Sequence, residues 1–100
     1  SACLRARVAA ARARQRERYA KVEQVRTNAE VAGRWLLAQG GITHGARATL
    51  EDASERLALS ARGYHRALRV ARTIADLDGR DDVGESAALE ALAYRGTIRA

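Results

Sequence analysis

Hydrophobic residues recur with the spacing of an α-helix most clearly between Ser60 and Gly79. One face of this segment is apolar along its whole length, with Tyr64, Leu68, Ala71 and Ala75 at i, i+4, i+7 and i+11, widened by Ala67, Val70, Ile74 and Leu77. Ser60 suits the N-cap, where its side chain would accept a hydrogen bond from the amide of Gly63. Gly79 suits the left-handed residue that follows a helix. The pattern therefore predicts a helix with both ends marked.

Four further helical segments are predicted around this one. They run from Ala2 to about Ala20 after a cap at Ser1, over 30–38, from about Gly45 to Leu57 after a cap at Thr43, and from about Glu85 to Tyr94. The connections are an irregular polar stretch at 21–28, the pair Gly40-Gly41, and a turn over 79–82 followed by an extended Val83. Residues 95–100 are expected to fray.

Composition supports an all-α fold. Hydrophobic residues make up 47% of the chain, but only four residues are aromatic, and Phe, Met and Pro are absent. Because much of the apolar content is Ala, the core must be built by close helix packing. We expect a single domain over 1–100, a small bundle of four to five helices. Its predicted core is Trp35, Leu50, Leu57, Tyr64, Leu68, Ile74, Leu77, Leu89 and Leu92, with Ala88 and Ala93 also inward.

The net charge of +6 is concentrated in residues 1–26, and the remainder of the chain is neutral. The first helix has a narrow stripe of inward positions, Leu4, Val8, Ala11, Gln15 and Tyr19, flanked by Arg12, Arg16 and Arg18. This helix either faces phosphates or is a solvated surface helix with many arginines. A basic pI here does not describe a basic domain.

Several classes of function find no support. Cys3 is the only cysteine, which excludes an internal disulfide and a Cys-based zinc site. The two histidines, His44 and His65, fall on different elements, and no metal-ligand spacing surrounds them. Gly40 and Gly45 have P-loop spacing, but Ala46-Arg47 follow where Lys and Ser or Thr are needed. With no apolar run long enough for a membrane span and no signal peptide, we expect a cytoplasmic protein.

The first turns of the main helix carry an unusual amount of positive charge. Arg62, Arg66 and Arg69 share a face distinct from the apolar stripe, with His65 and Arg72 beside it. Cations near a helix N-terminus oppose the macrodipole, at a cost of about 0.3–1 kcal/mol each, and Gly63 costs roughly another 1 kcal/mol relative to Ala. This arrangement indicates that an anionic ligand binds near the N-terminus of this helix. The alternative is a solvated basic face, with His65 a plain surface residue.

The block from Leu59 to Leu77 resembles the C-terminal domain of the magnesium-chelatase-like AAA+ ATPases, in particular the ComM-type competence branch. Flanking segments agree, since 7–18 resembles that family's entry helix and 90–95 its closing helix. The resemblance covers essentially the whole chain. Two departures are visible: Ala87 stands where the family usually has His, and Ala32 where it often has Pro.

The resemblance implies a lid that closes over ATP. Arg62, in Ser60-Ala61-Arg62, matches the sensor-2 arginine that reaches the γ-phosphate, with Arg66 and Arg69 in secondary roles. ATP and Mg²⁺ would be held mainly by an N-terminal AAA+ domain preceding this chain. The implied partners are that domain, neighbouring subunits of a homo-oligomeric ring, expected to be a hexamer, and DNA through the parent protein. The alternatives are the lid of a magnesium chelatase subunit and a stand-alone basic helical module that binds DNA.

Overall fold

A computed structural model describes the backbone of residues 1–98 and the side chains of residues 1–94. Its five α-helices are α1 (Ala2–Arg18), α2 (Gly33–Gln39), α3 (His44–Arg56), α4 (Ala61–Leu77) and α5 (Glu85–Ile98). No strand lies within residues 1–98, so the predicted small all-α bundle is confirmed. The predicted main helix is α4.

Local signals placed the starts of α1, α3 and α4 well, whereas α2 begins at Gly33 and not at residue 30 as predicted. The hydroxyls of Ser1, Thr43 and Ser60 each accept a hydrogen bond from the amide three residues on, at 3.1–3.2 Å. Gly79 has a φ of 72°, the left-handed conformation expected after α4. The end of α5 was predicted wrongly, because the helix continues through Ile98 instead of fraying after Tyr94. Residues 99–100 lie outside the described part of the chain.

Helix α4 is the centre of the bundle and packs against all four other helices. Its residues Leu68, Ala71 and Ala75 are fully buried, and they belong to one hydrophobic cluster with Leu36 of α2 and Leu50 of α3. Alanines of α4 and α5 make up a large part of this cluster, in agreement with the Ala-rich composition. The core therefore lies along the apolar stripe of α4.

Two leucines predicted in the core are on the surface. Leu57 is 46% exposed and Leu89 is 59% exposed. Leu57 falls at the C-cap of α3, where the chain turns away from the bundle. On α5 the inward positions belong to the small residues Ala87, Ala88 and Ala91, and Leu89 and Ala93 point outward. The other predicted core residues are buried or partly buried: Trp35, Leu50, Tyr64, Leu68, Ile74, Leu77 and Leu92.

The α2–α3 and α4–α5 connections meet in a short parallel bridge between Ile42 and Val83. The amide of Val83 donates to the carbonyl of Gly41 at 2.8 Å, and the amide of Thr43 donates to the carbonyl of Val83 at 3.1 Å. Gly41 adopts a φ of 74°, a conformation that favours glycine. The predicted extended conformation at Val83 is thus explained by pairing with a distant turn.

Candidate phosphate-binding site

The three predicted site arginines, Arg62, Arg66 and Arg69, line one groove of about 570 Å³ along α4. They stand at i, i+4 and i+7, which places them in a row on one side of the helix. The rest of the lining is mainly apolar and comes from α4, α5 and the chain before α2: Ala29, Val70, Thr73, Ile74, Leu77 and Tyr94. The groove therefore has a cationic edge and an apolar floor.

The three arginines differ in how they are held. Arg69 is partly buried, and its Nε donates to the carbonyl of Val31 at 2.8 Å, so its guanidinium is fixed against the segment that leads into α2. Arg62 and Arg66 are exposed, and within the described part of the chain neither forms an ion pair. Arg62 and Arg66 are therefore the two cations that remain available for an anionic ligand.

The N-terminus of α4 adds backbone donors beside Arg62. Ser60 satisfies the amides of Gly63 and Tyr64, through its hydroxyl and its carbonyl respectively. The amides of Ala61 and Arg62 have no hydrogen-bond partner among the described residues. Free amides at the positive end of a helix dipole are suited to bind a phosphate oxygen. The donor set at this end of α4 thus fits an anionic phosphate group.

His65 contributes to packing instead of to the groove. Its imidazole lies against Gly33 at the start of α2, where an added Cβ would come within 2.5 Å of the ring. The ring also contacts Tyr64, with centroids 5.9 Å apart. The glycine at position 33 is therefore required by the close approach of α2 to this histidine. His44 is exposed at the start of α3, well separated in sequence from the groove arginines.

A buried ionic cluster, which the sequence reasoning missed, lies between α1 and α4. Asp76 is fully buried and pairs with Arg18 of α1, whose Nη1 and Nη2 both donate to the carboxylate, and with Arg72 at 3.0 Å. The side-chain amide of Asn28 donates to the same carboxylate at 2.9 Å. Asn28 also accepts hydrogen bonds from Arg18 and from the hydroxyl of Tyr19. The cluster joins α1, the chain that follows it and α4.

Arg72, which the sequence had placed beside the basic face, is only 1% exposed. Its Nη1 donates to the carbonyls of Gly40 and Asp81 at 2.7 and 2.9 Å, and its Nη2 donates to the carbonyl of Arg80 at 2.8 Å. Burial lowers the pKa of Arg72. A guanidinium is nevertheless suited to this position, since its planar array of donors can reach several carbonyls at once.

The pKa values of Arg18 and Tyr19, two neighbours in this cluster, are both raised. Burial alone would lower the pKa of Arg18, but the hydrogen bond and charge of Asp76, with smaller contributions from Tyr19, outweigh it, and the pKa of Arg18 is raised. Burial raises the pKa of Tyr19, and the positive charge of Arg18 offsets part of that effect. Tyr19 therefore keeps its proton, which it donates to Asn28, to a higher pH than an exposed tyrosine does.

Further arginines of α1 reach the C-terminal end of α4. Arg7 donates to the carbonyl of Leu77 at 3.3 Å, and Arg14 donates to the carbonyl of Gly79 at 2.9 Å. Arg7 also pairs with Asp78 at 3.4 Å, and Arg14 pairs with Asp81 at 3.0 Å. These contacts place cations at the negative end of the α4 dipole, where they are stabilising. Part of the positive charge of α1 therefore serves to bind α1 to the bundle.

Among the side chains of residues 1–94, no three of His, Cys, Asp or Glu are grouped as a metal site would require. None of the described helices is both long enough and apolar enough to cross a bilayer.

Comparison with known proteins identifies the class. Residues 1–95 match the family described as "Magnesium chelatase, subunit ChlI C-terminal", and the chain belongs to this family. This membership supports the assignment of the chain as a lid domain of the AAA+ kind. It confirms the resemblance seen in the α4 block.

The similar proteins are much longer than this chain. It is 50% identical to the competence protein ComM of Haemophilus influenzae over 50 residues, which are 50% of this chain and 10% of that protein. It is 37% identical to the protein YifB of Salmonella typhimurium over 99 residues, which are 99% of this chain and 19% of YifB. A Mycobacterium tuberculosis protein, Rv2897c, is 40% identical over 94 residues, 94% of this chain and 18% of Rv2897c. The chain thus spans a fifth or less of the length of these relatives. No solved structure matches it.

Proposed function

We propose that this chain is the C-terminal lid of a magnesium-chelatase-like AAA+ ATPase, and that Arg62 binds the γ-phosphate of ATP as its sensor-2 arginine. The observation that carries the proposal is the N-terminal end of α4. There, two exposed arginines have no carboxylate partner in residues 1–94, and the amides of Ala61 and Arg62 are free. A guanidinium and free amides together provide charge-assisted hydrogen bonds to phosphate oxygens.

The other elements of the ATPase belong to the parent protein in this proposal. ATP and Mg²⁺ are held mainly by an N-terminal AAA+ domain, and the lid closes over the nucleotide from one side. The parent assembles as a ring, with a hexamer as the expected size, and acts on DNA. The similarity to a protein named for competence supports a DNA substrate.

A second candidate is the lid of a magnesium chelatase subunit. It is favoured by the family to which the chain belongs, since the description of that family names magnesium chelatase. The two candidates share the role of Arg62 and differ in the substrate of the motor. They are separated by measuring whether DNA or a porphyrin substrate stimulates ATP hydrolysis by the full-length protein.

The test of the shared role is Arg62→Ala in the full-length protein. A hydrogen bond to a charged group contributes about 1.5–3 kcal/mol, so its loss in the transition state should slow ATP turnover by about 10- to 150-fold. Arg56→Ala is the matched control, because Arg56 is an exposed arginine of α3 that pairs only with Asp52 in the described residues. Arg66→Ala should have a smaller effect than Arg62→Ala. The 100-residue chain alone should not hydrolyse ATP, since it has no P-loop.

The same substitution must leave the fold intact for this test to be meaningful. Arg62 is exposed and opposes the helix dipole, so Arg62→Ala should change the free energy of unfolding by no more than about 0.5 kcal/mol. An unfolded Arg62→Ala chain would make Arg62 structural and remove the basis of the proposal. Unchanged turnover in Arg62→Ala, together with a loss of turnover in Arg66→Ala, would move the phosphate contact one helical turn along α4.

A further inference from the structure

The arginines of α1 form two stripes with identical spacing. Arg7, Arg14 and Arg18 make the inner stripe at i, i+7 and i+11, and Arg5, Arg12 and Arg16 make the outer stripe with the same intervals. The two stripes are offset by two residues, which is about 200° around a helix of 3.6 residues per turn. They therefore lie on opposite sides of α1.

Only the inner stripe has acidic partners in the described part of the chain. Its three arginines pair with Asp78, Asp81 and Asp76 respectively. The residues of the outer stripe are all exposed and form no ion pair within residues 1–94. Packing of α1 onto α4 thus accounts for one stripe and leaves the other unexplained.

The outer stripe, together with Leu4, Val8 and Ala9, lines a shallow groove with a volume of about 490 Å³. Leu4 and Val8 are its two larger apolar side chains, and no acidic residue precedes Glu17 in this chain. An amphipathic protein helix would need a broader apolar face to dock against. Three cations along about 16 Å of helix axis suit a regular polyanion better, and duplex DNA carries one negative charge per about 1.7 Å of its axis.

We propose that Arg5, Arg12 and Arg16 bind the sugar–phosphate backbone of duplex DNA through the outer face of α1. The contact is independent of sequence, because the three arginines are assigned to phosphates, which position a protein without reading bases, and the other side chains of this surface are apolar. This proposal deepens the DNA part of the proposed function, but it concerns a surface away from Arg62 and requires no nucleotide. It can therefore fail while the role of Arg62 stands, and the reverse also holds.

The test measures binding of the chain to a 25-base-pair duplex by fluorescence anisotropy between 50 and 200 mM NaCl, without ATP. The outer-stripe variant is Arg5→Gln, Arg12→Gln and Arg16→Gln together. The charge-matched control is Arg34→Gln, Arg56→Gln and Arg80→Gln, three exposed arginines elsewhere on the molecule. Circular dichroism confirms that both triple variants fold.

Three phosphate contacts give a slope of about −2.7 in the plot of log K against log salt, so the wild-type chain should lose about 40-fold in affinity across this range. The outer-stripe variant should lose that slope, and the control variant should keep it. Equal losses in the two variants would overturn the proposal, because they would mean that net charge alone matters. Tighter binding to poly-glutamate than to the duplex would also overturn it, in favour of an acidic protein partner.

Discussion

Asp76→Asn is the substitution that should most disturb this protein for the smallest change in shape. The Asp76 carboxylate is fully buried, accepts hydrogen bonds from Arg18 and Asn28, and forms an ion pair with Arg72 at 3.0 Å. With Asp76 ionised, the two arginines and the carboxylate have a net charge of +1. The Asn variant leaves two guanidiniums with no neutralising charge, and one of them is only 1% exposed.

The expected cost follows from this geometry. Breaking a buried ion pair by removing one partner costs about 3–5 kcal/mol, because the remaining charge stays buried. The free energy of unfolding of Asp76→Asn should fall by an amount in that range, since Arg72 is only 1% exposed and Arg18 has only 16% of its side chain exposed. A domain with a total stability of about 5–15 kcal/mol would lose a large part of it. The melting temperature should fall by more than about 12 °C.

Urea unfolding followed by circular dichroism measures this loss, and an unchanged m-value would show that two-state unfolding is retained. The control is Asp78→Asn, because the Arg7–Asp78 pair is about half exposed and spans 3.4 Å. Such surface pairs contribute about 0–1 kcal/mol. If Asp76→Asn were no more costly than Asp78→Asn, the cluster would not hold α1 to α4 as we describe.

Two further predictions concern the core and the alkaline limit of stability. Leu68→Ala should cost about 2–5 kcal/mol because Leu68 is fully buried, whereas Leu89→Ala should stay within about 0.5 kcal/mol because Leu89 is 59% exposed; similar urea midpoints would contradict the assigned faces. Burial raises the pKa of Tyr19, so the unfolded chain loses this proton first as the pH rises. The contribution of this group to the free energy of unfolding is therefore fully present below about pH 10 and decreases above it. Tyr19→Phe should reduce this decline in urea titrations at pH 8 and pH 11, and an undiminished decline would point to another group.

The helix ends and the apolar face of α4 could be predicted from the sequence, because both depend on residues that are close together along the chain. The helix ends at Ser1, Thr43, Ser60 and Gly79 each depend on residues within one turn, and all four predictions were confirmed. The apolar stripe of α4 was equally predictable, because this helix buries one face and leaves Arg62 and Arg66 exposed, which gives a clear helical period. The co-facial placement of the three groove arginines also followed from their spacing, although their role in phosphate binding stays a prediction.

What the sequence did not predict depends on partners far along the chain. Arg72 was placed on the basic side because an arginine is normally exposed, yet its partners are carbonyls at positions 40, 80 and 81. One signal was present: Asp76 follows Arg72 at i+4 and falls among the apolar residues Ile74, Ala75 and Leu77. An acidic residue in that position predicts a buried cation beside it. On α5 the choice between Leu89 and its alanine neighbours depended on how closely the helices approach, which periodicity does not determine.

The single guanidinium of Arg72 has a mechanical consequence for the whole domain. It donates hydrogen bonds to the turn after α2 and to the turn after α4. These two turns are also joined to each other by the bridge between Ile42 and Val83. The end of α4 farthest from Arg62 is thereby locked to the body of the bundle. For the proposed lid, this anchoring favours movement of the helices as one body, because the end that carries Arg62 and the anchored end belong to the same helix.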